Sequence, residues 1–146
     1  MRKNIFIVWR VHSETILVAE DEDGVRRILV RVLAAKGYTV LTARDGEEAL
    51  AVAAQHAGVI DLVVTDMVMP ELGGLSLVER LRTTRPDVRA LFISGYTDEE
   101  IGRRGVLPDG ARFLHKPFSL AALGTAVRGA LGELGASAIA RSSLDN

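Results

Sequence analysis

Five short apolar runs, each followed by a segment with helical periodicity, constrain this chain more than any other feature. The runs cover residues 15–19, 38–43, 62–65, 88–93 and 111–114. They are rich in branched side chains and bounded by turn residues, the pattern of strands buried on both faces. Between them, Asp23 is placed to N-cap a first helix with Val25, Ile28, Leu29, Val32 and Leu33 on one face, and Gly37 to end it. Asp45 opens a second helix that runs to about His56. A third, from about Leu75 to Thr84, turns Leu75, Val78 and Leu81 inward. Gly102, Gly105, Pro108 and Gly110 limit any helix in 98–110 to about two turns. A fifth helix is predicted from Leu120 to about Leu134. Strands alternating with helices imply an α/β protein with a parallel sheet covered on both faces. Right-handed crossovers leave only a few doubly wound orders. The chain of 146 residues is expected to hold one such domain, 14–134, between an extension (1–13) and a small polar tail (135–146).

Composition removes several classes of function. The net charge of −1 gives no electrostatic case for binding nucleic acid or an acidic membrane. The absence of cysteine excludes disulfides, thiolate catalysis and Cys-ligated metals. Basic residues followed by apolar ones at the start mimic an export signal. The apolar part, Ile5 to Trp9, is cut short by Arg10, too soon for a signal or a membrane span. A cytoplasmic protein is expected.

The chemistry lies at the carboxyl ends of the strands, the edge where open α/β sheets bind ligands. The third strand ends at Asp66, with Pro70 and the Gly73-Gly74 pair close behind. An isolated aspartate there is more often a turn residue. The first strand, however, ends in Glu20-Asp21-Glu22-Asp23. In the flavodoxin-like order 2-1-3-4-5, strands one and three are neighbours, so Glu20 and Asp21 reach the same edge as Asp66. Two carboxylates at 4 Å repel by roughly 4 kcal/mol at an effective dielectric of 20. Protonation or a cation relieves such a cluster, and hard oxygens without His or Cys suit Mg²⁺. Ser94 closes the fourth strand and Lys116 follows the fifth, on that same edge. Three acids, a hydroxyl and an ammonium can hold a metal and a phosphoryl group together.

Four segments then make a specific resemblance. Ile-Leu-Val-Ala-Glu-Asp-Glu (16–22), Asp-Met-Val-Met-Pro-Glu-Leu-Gly-Gly (66–74), Ile-Ser-Gly-Tyr (93–96) and Phe-Leu-His-Lys-Pro-Phe (113–118) stand in the order and spacing of a response-regulator receiver domain of two-component signalling. The chain resembles that family from about Glu14 to Leu134. The 2-1-3-4-5 order is the family's own, and is adopted here with the resemblance.

The resemblance implies a signalling phospho-acceptor that catalyses only its own phosphorylation and dephosphorylation. Asp66 would accept the phosphoryl group from a phosphohistidine of a histidine kinase or histidine phosphotransfer domain. Asp21 and Asp66 would ligate Mg²⁺ by their side chains and Val68 by its backbone carbonyl, with Glu20 in the outer shell, where the family often has Asp. Lys116 would pair with Asp66 at rest and with the phosphoryl group afterwards. Ser94 and Phe113 would form the switch, Ser94 donating to a phosphoryl oxygen and Phe113 rotating inward behind it. The surface of helix four, strand five and helix five would report the change, and is the family's surface for a homodimer. The bond Lys116-Pro117 is expected to be cis. Segment 93–99 resembles receivers at the ends of hybrid histidine kinases.

Three rivals remain at this level. A haloacid-dehalogenase-like phosphatase wants a second acid two residues after the nucleophile, where this chain has Val68. A flavin carrier wants a phosphate-cradling loop after strand one, which is absent. A phosphorylation-independent interaction module on the same fold is opposed by the full set Asp21, Asp66, Ser94 and Lys116.

Overall fold

The computed structural model describes residues 14–104 and 107–132. The predicted extension (1–13) and tail (135–146) lie outside the described residues. Five parallel strands form one sheet in the order β2-β1-β3-β4-β5. They are β1 (Thr15–Ala19), β2 (Thr39–Ala43), β3 (Leu62–Asp66), β4 (Arg89–Ser94) and β5 (Arg112–His115). The helices are α1 (Asp23–Ala35), α2 (Gly46–Gln55), α3 (Gly74–Thr84), α4 (Asp98–Gly102) and α5 (Leu120–Leu131). The sheet is flavodoxin-like, as expected. Among the described residues no helix is long and apolar enough to cross a membrane.

Strand alternation splits the core in two. Ile16, Val18, Leu62, Val64, Leu91 and Ile93 pack beneath α1 and α5. Leu17, Ala19, Val63, Ala90 and Phe92 pack beneath α2, α3 and α4. All five residues of β3 are buried, including Asp66 at its carboxyl end, and the next exposed residue beyond that end is Val68. The register sets Asp66 beside Ile93 of β4, and Ser94 beside His115 of β5.

Side-chain caps fix where the chain re-enters α2, α4 and α5 after that edge. Asp45 accepts the Glu48 N–H at 2.8 Å, and Ser119 accepts the Ala122 N–H at 3.0 Å. Thr97 and Glu100 close a reciprocal capping box that lets a helix as short as α4 start cleanly. Gly37 supplies the positive φ of 97° after α1, a conformation costly for other residues.

The structure corrects several local expectations. Glu22, not Asp23, occupies the N-cap position of α1, with extended backbone and no side-chain cap bond, while Asp23 lies inside the first turn with its carboxylate engaged by Arg26. Ile28 is 52% exposed: the inward face centres on Leu29 and Leu33, and a neighbour of Leu29 is rotated about 100° away from it. In α3 it is Leu77, with Val78 and Leu81, that is fully covered, while Leu75 is half-buried. Helix α5 stops at Leu131, where Gly132 takes φ 82°, rather than reaching Leu134. Strands β4 and β5 each sit one residue further along than predicted, which brings Ser94 and His115 into the sheet.

Candidate functional site

The carboxyl edge gathers Glu20, Asp21, Asp66 and Lys116. Glu20 leaves β1 with its N–H donated to the Ala43 carbonyl at 3.1 Å and its own carbonyl held by Arg26 at 2.9 Å. Its side chain is fully buried. Oε2 accepts the Glu22 N–H at 3.2 Å, and Oε1 is buried with no hydrogen-bond partner. Burial is the main reason its carboxyl is pushed up to about 7; the Glu22 N–H acts against this.

Asp66 ends the fully buried β3. Its Oδ1 accepts the Val68 N–H at 3.3 Å, and its Oδ2 accepts from Lys116 Nζ at 2.9 Å. Lys116 Nζ is also 4.0 Å from Glu20 Oε1. Burial works against the Lys116 charge, but the hydrogen bond and charge of Asp66 outweigh it, so its ammonium is held above the ordinary lysine range. The Lys116-Pro117 bond is cis, as expected. Oxygens of Glu20, Asp21 and Asp66 all lie within 4.8 Å of one another, with Asp21 exposed at the mouth. One ammonium against three acids leaves the cluster electron-rich. The hard-oxygen donor set and the orphaned Oε1 of Glu20 fit a small divalent cation.

The two predicted switch residues, Ser94 and Phe113, make no side-chain contact with that cluster among the described hydrogen bonds. The Ser94 hydroxyl is buried and accepts the Tyr96 N–H at 2.9 Å, so at rest it engages the following turn. Only its carbonyl meets the lysine, taking the Lys116 N–H at 2.8 Å. Phe113 is half-buried and stacks on Phe92, with ring centroids 5.5 Å apart and planes at 28°. The side chain of Val68 is half exposed beside Asp66.

Sequence reasoning did not assign a role to Gly74, Thr65 or Arg26. The buried Thr65 hydroxyl donates to the Asp66 carbonyl at 3.0 Å. A Cβ on Gly74 would lie 2.4 Å from that same carbonyl oxygen and 3.0 Å from Thr65 Cγ2. The Gly73-Gly74 pair was the visible signal, but it reads equally as turn chemistry. Gly74→Ala is expected to destabilise the domain by about 1–3 kcal/mol through overpacking against fixed backbone. Thermal unfolding followed by circular dichroism should show a fall of several degrees, and an unchanged midpoint would mean that α3 can shift at no cost.

An apolar recess of about 530 Å³ opens beside Lys116, lined by Val25, Ile28, Leu29, Pro117, Phe118 and Leu120. Ile28 and Leu120 are each more than half exposed on its rim.

Comparison with known proteins agrees with this geometry. A family model described as the response regulator receiver domain matches residues 16–128. The sensor kinase CckA of Brucella abortus is 47% identical over 118 residues, which is 80% of this chain but 12% of the kinase. The response regulator receiver protein CpdR of the same organism is 35% identical over 105 residues, 72% of this chain and 86% of that protein. Among solved structures, the receiver domain of the hybrid histidine kinase CckA superposes with a TM-score of 0.69 at 40% identity. That match covers 80% of this chain and 98% of the other.

Proposed function

Because this chain belongs to the response-regulator receiver domain family, we propose that it accepts a phosphoryl group on Asp66 from the phosphohistidine of a histidine kinase or phosphotransfer domain. The observation that carries the reading is the Lys116–Asp66 pair at 2.9 Å, at the end of a fully buried strand and inside a cluster of acids. An Asp66 carboxylate oxygen attacks phosphorus. A P–O bond forms, the P–N bond breaks, and the electron pair leaves with the donor imidazole, giving an acyl phosphate. Lys116 holds the attacking carboxylate in one orientation and faces the incoming phosphoryl oxygens with a fixed positive charge. Asp21, Asp66 and the Val68 carbonyl would hold Mg²⁺, with Glu20 acting on it through water. Bound there, the cation supplies the positive charge that three acids and a phosphoryl group require.

The acquired group adds roughly −1.5 to −2 charges and three acceptor oxygens. Ser94 leaves the Tyr96 N–H to donate to one of them, and Phe113 follows inward. The surface of α4, β5 and α5 changes accordingly, and this is the face that would meet a second copy or a reader. The recess beside Lys116, with Ile28 and Leu120 exposed on its rim, is where the donor would dock. Residues 14–134 act as the receiver unit.

Intact mass after incubation with acetyl phosphate and Mg²⁺ tests the reading. One added phosphoryl group, absent when EDTA is present, is expected. A chain that gains no mass and also fails to bind beryllofluoride would leave a receiver fold used only for interaction.

A further inference from the structure

The turn that follows β4 is tied down from two sides. On one side the Ser94 hydroxyl takes the Tyr96 N–H at 2.9 Å. On the other, the Tyr96 carbonyl meets Nδ1 of His115 at 3.1 Å, and Nε2 of the same ring lies 3.1 Å from Asp98 Oδ1 at the start of α4. His115 is the last residue of β5 and the neighbour of Lys116, whose own N–H is bound to the Ser94 carbonyl at 2.8 Å. A single residue, Tyr96, therefore lies between the hydroxyl that must move and the imidazole that holds its carbonyl. The carbonyl and the carboxylate can only accept, so the ring makes both contacts fully when both of its nitrogens carry protons.

We propose that His115 is a positioning residue that fastens the 95–98 segment to β5 and so keeps the Ser94 hydroxyl on Tyr96 and away from Asp66 until the phosphoryl group arrives. The inference rests on Asp66 being the acceptor. For Ser94 to donate to a group on Asp66, its oxygen must release the Tyr96 N–H. That N–H must then follow the hydroxyl or find another acceptor, and the hold of His115 on the same residue's carbonyl restrains the shift of backbone that following requires. Contacts made only in the resting arrangement oppose the activated one, and removing them shifts the population towards it. Both partners are open to water, His115 about half and Asp98 almost wholly, so the hold is modest and reversible.

The test compares wild type, His115→Ala and Asp98→Ala. Beryllofluoride with Mg²⁺ serves as the phosphoryl mimic, and amide exchange of residues 96–98 is followed without it. The Asp98→Ala variant removes one exposed carboxylate and keeps the test valid should His115→Ala not fold. His115→Ala should exchange faster at 96–98 and bind beryllofluoride about threefold to tenfold more tightly, with Asp98→Ala moving the same way by less. A merely structural histidine would give weaker binding on removal. Unchanged exchange, or faster exchange without tighter binding, overturns the proposal while wild-type binding stands. Absence of binding by wild type instead overturns the phospho-acceptor reading, and this proposal with it.

Discussion

The Asp66→Asn variant should take up no phosphoryl group from acetyl phosphate under conditions that label the wild-type chain, a loss limited only by detection. The amide oxygen that replaces the carboxylate is a far poorer nucleophile, and the substitution changes little else. Asn has the same shape and one acceptor oxygen, which can serve the Val68 N–H or Lys116 but not both, and Lys116 keeps Glu20 at 4.0 Å as a counter-charge. It also removes one member of a crowded acidic cluster. The melting temperature should therefore stay within a few degrees of wild type, so that the lost adduct reports chemistry and not unfolding. Labelling of Asp66→Asn equal to wild type would move the acceptor to another carboxylate, and Asp21 would be the first to replace.

The second large effect is on stability and belongs to Glu20. Its carboxyl is raised from 4.5 to about 7 in the folded chain, chiefly by burial. Between these values the folded state binds more protons than the unfolded one, so stability falls as pH rises through the window and levels off above about 7. With allowance for water at the mouth of the site, the loss from this group is about 2 kcal/mol. In EDTA, wild type should melt several degrees lower at pH 8 than at pH 5.5, whereas Glu20→Gln should lose this slope and be the more stable at pH 8. Among the other shifted groups, Asp23 and Lys116 act outside the window. Asp23, lowered by its hydrogen bond to Arg26, adds stability that is lost only as pH falls below the ordinary aspartate range. Lys116, raised by Asp66, adds stability that is lost only as pH climbs past the ordinary lysine range. Adding Mg²⁺ should raise the midpoint more at pH 8 than at pH 5.5, because a cation and a proton relieve the same charge. Equal slopes for wild type and Glu20→Gln would show that Glu20 ionises without cost.

Most of this architecture was legible because the strands announce themselves. Runs such as 16–18 and 62–64 are branched, apolar and bounded, so their existence and the residues at their ends followed from pattern alone. Asp66 and Lys116 could be placed on one edge for that reason, and the structure pairs them. What pattern could not supply was competition between partners. Asp23 has the chemistry of a cap, yet it lies inside the first turn, where Arg26 three residues on takes its carboxylate, and the N-cap position falls to Glu22 without a side-chain cap. Ile28 is apolar and helical, but solvent meets it at the rim of a recess formed with the distant Leu120. The closeness of α3 to β3 rests on the missing Cβ of Gly74, a contact that no periodicity encodes. His115 was visible as a letter in the segment 113–118, while its grip on Tyr96 depends on a turn 19 residues away.

The division of the core into two halves has a consequence for traffic at this domain. The recess beside Lys116 draws on Val25, Leu29 and Phe118, which belong with α1 and α5, while Phe92, Phe113, Tyr96 and Ile101 pack on the opposite side of the sheet. Helix α5 belongs to both regions: Leu120 stands on the rim of the recess, and α5 is part of the α4–β5–α5 face proposed for readout. If the recess takes the donor, a reader confined to the side of Tyr96, Ile101 and Phe113 would leave it free, whereas a reader that also covers α5 would meet the donor there. The extent of a reader's footprint along α5 would then decide whether donor and reader can be bound together or must take turns.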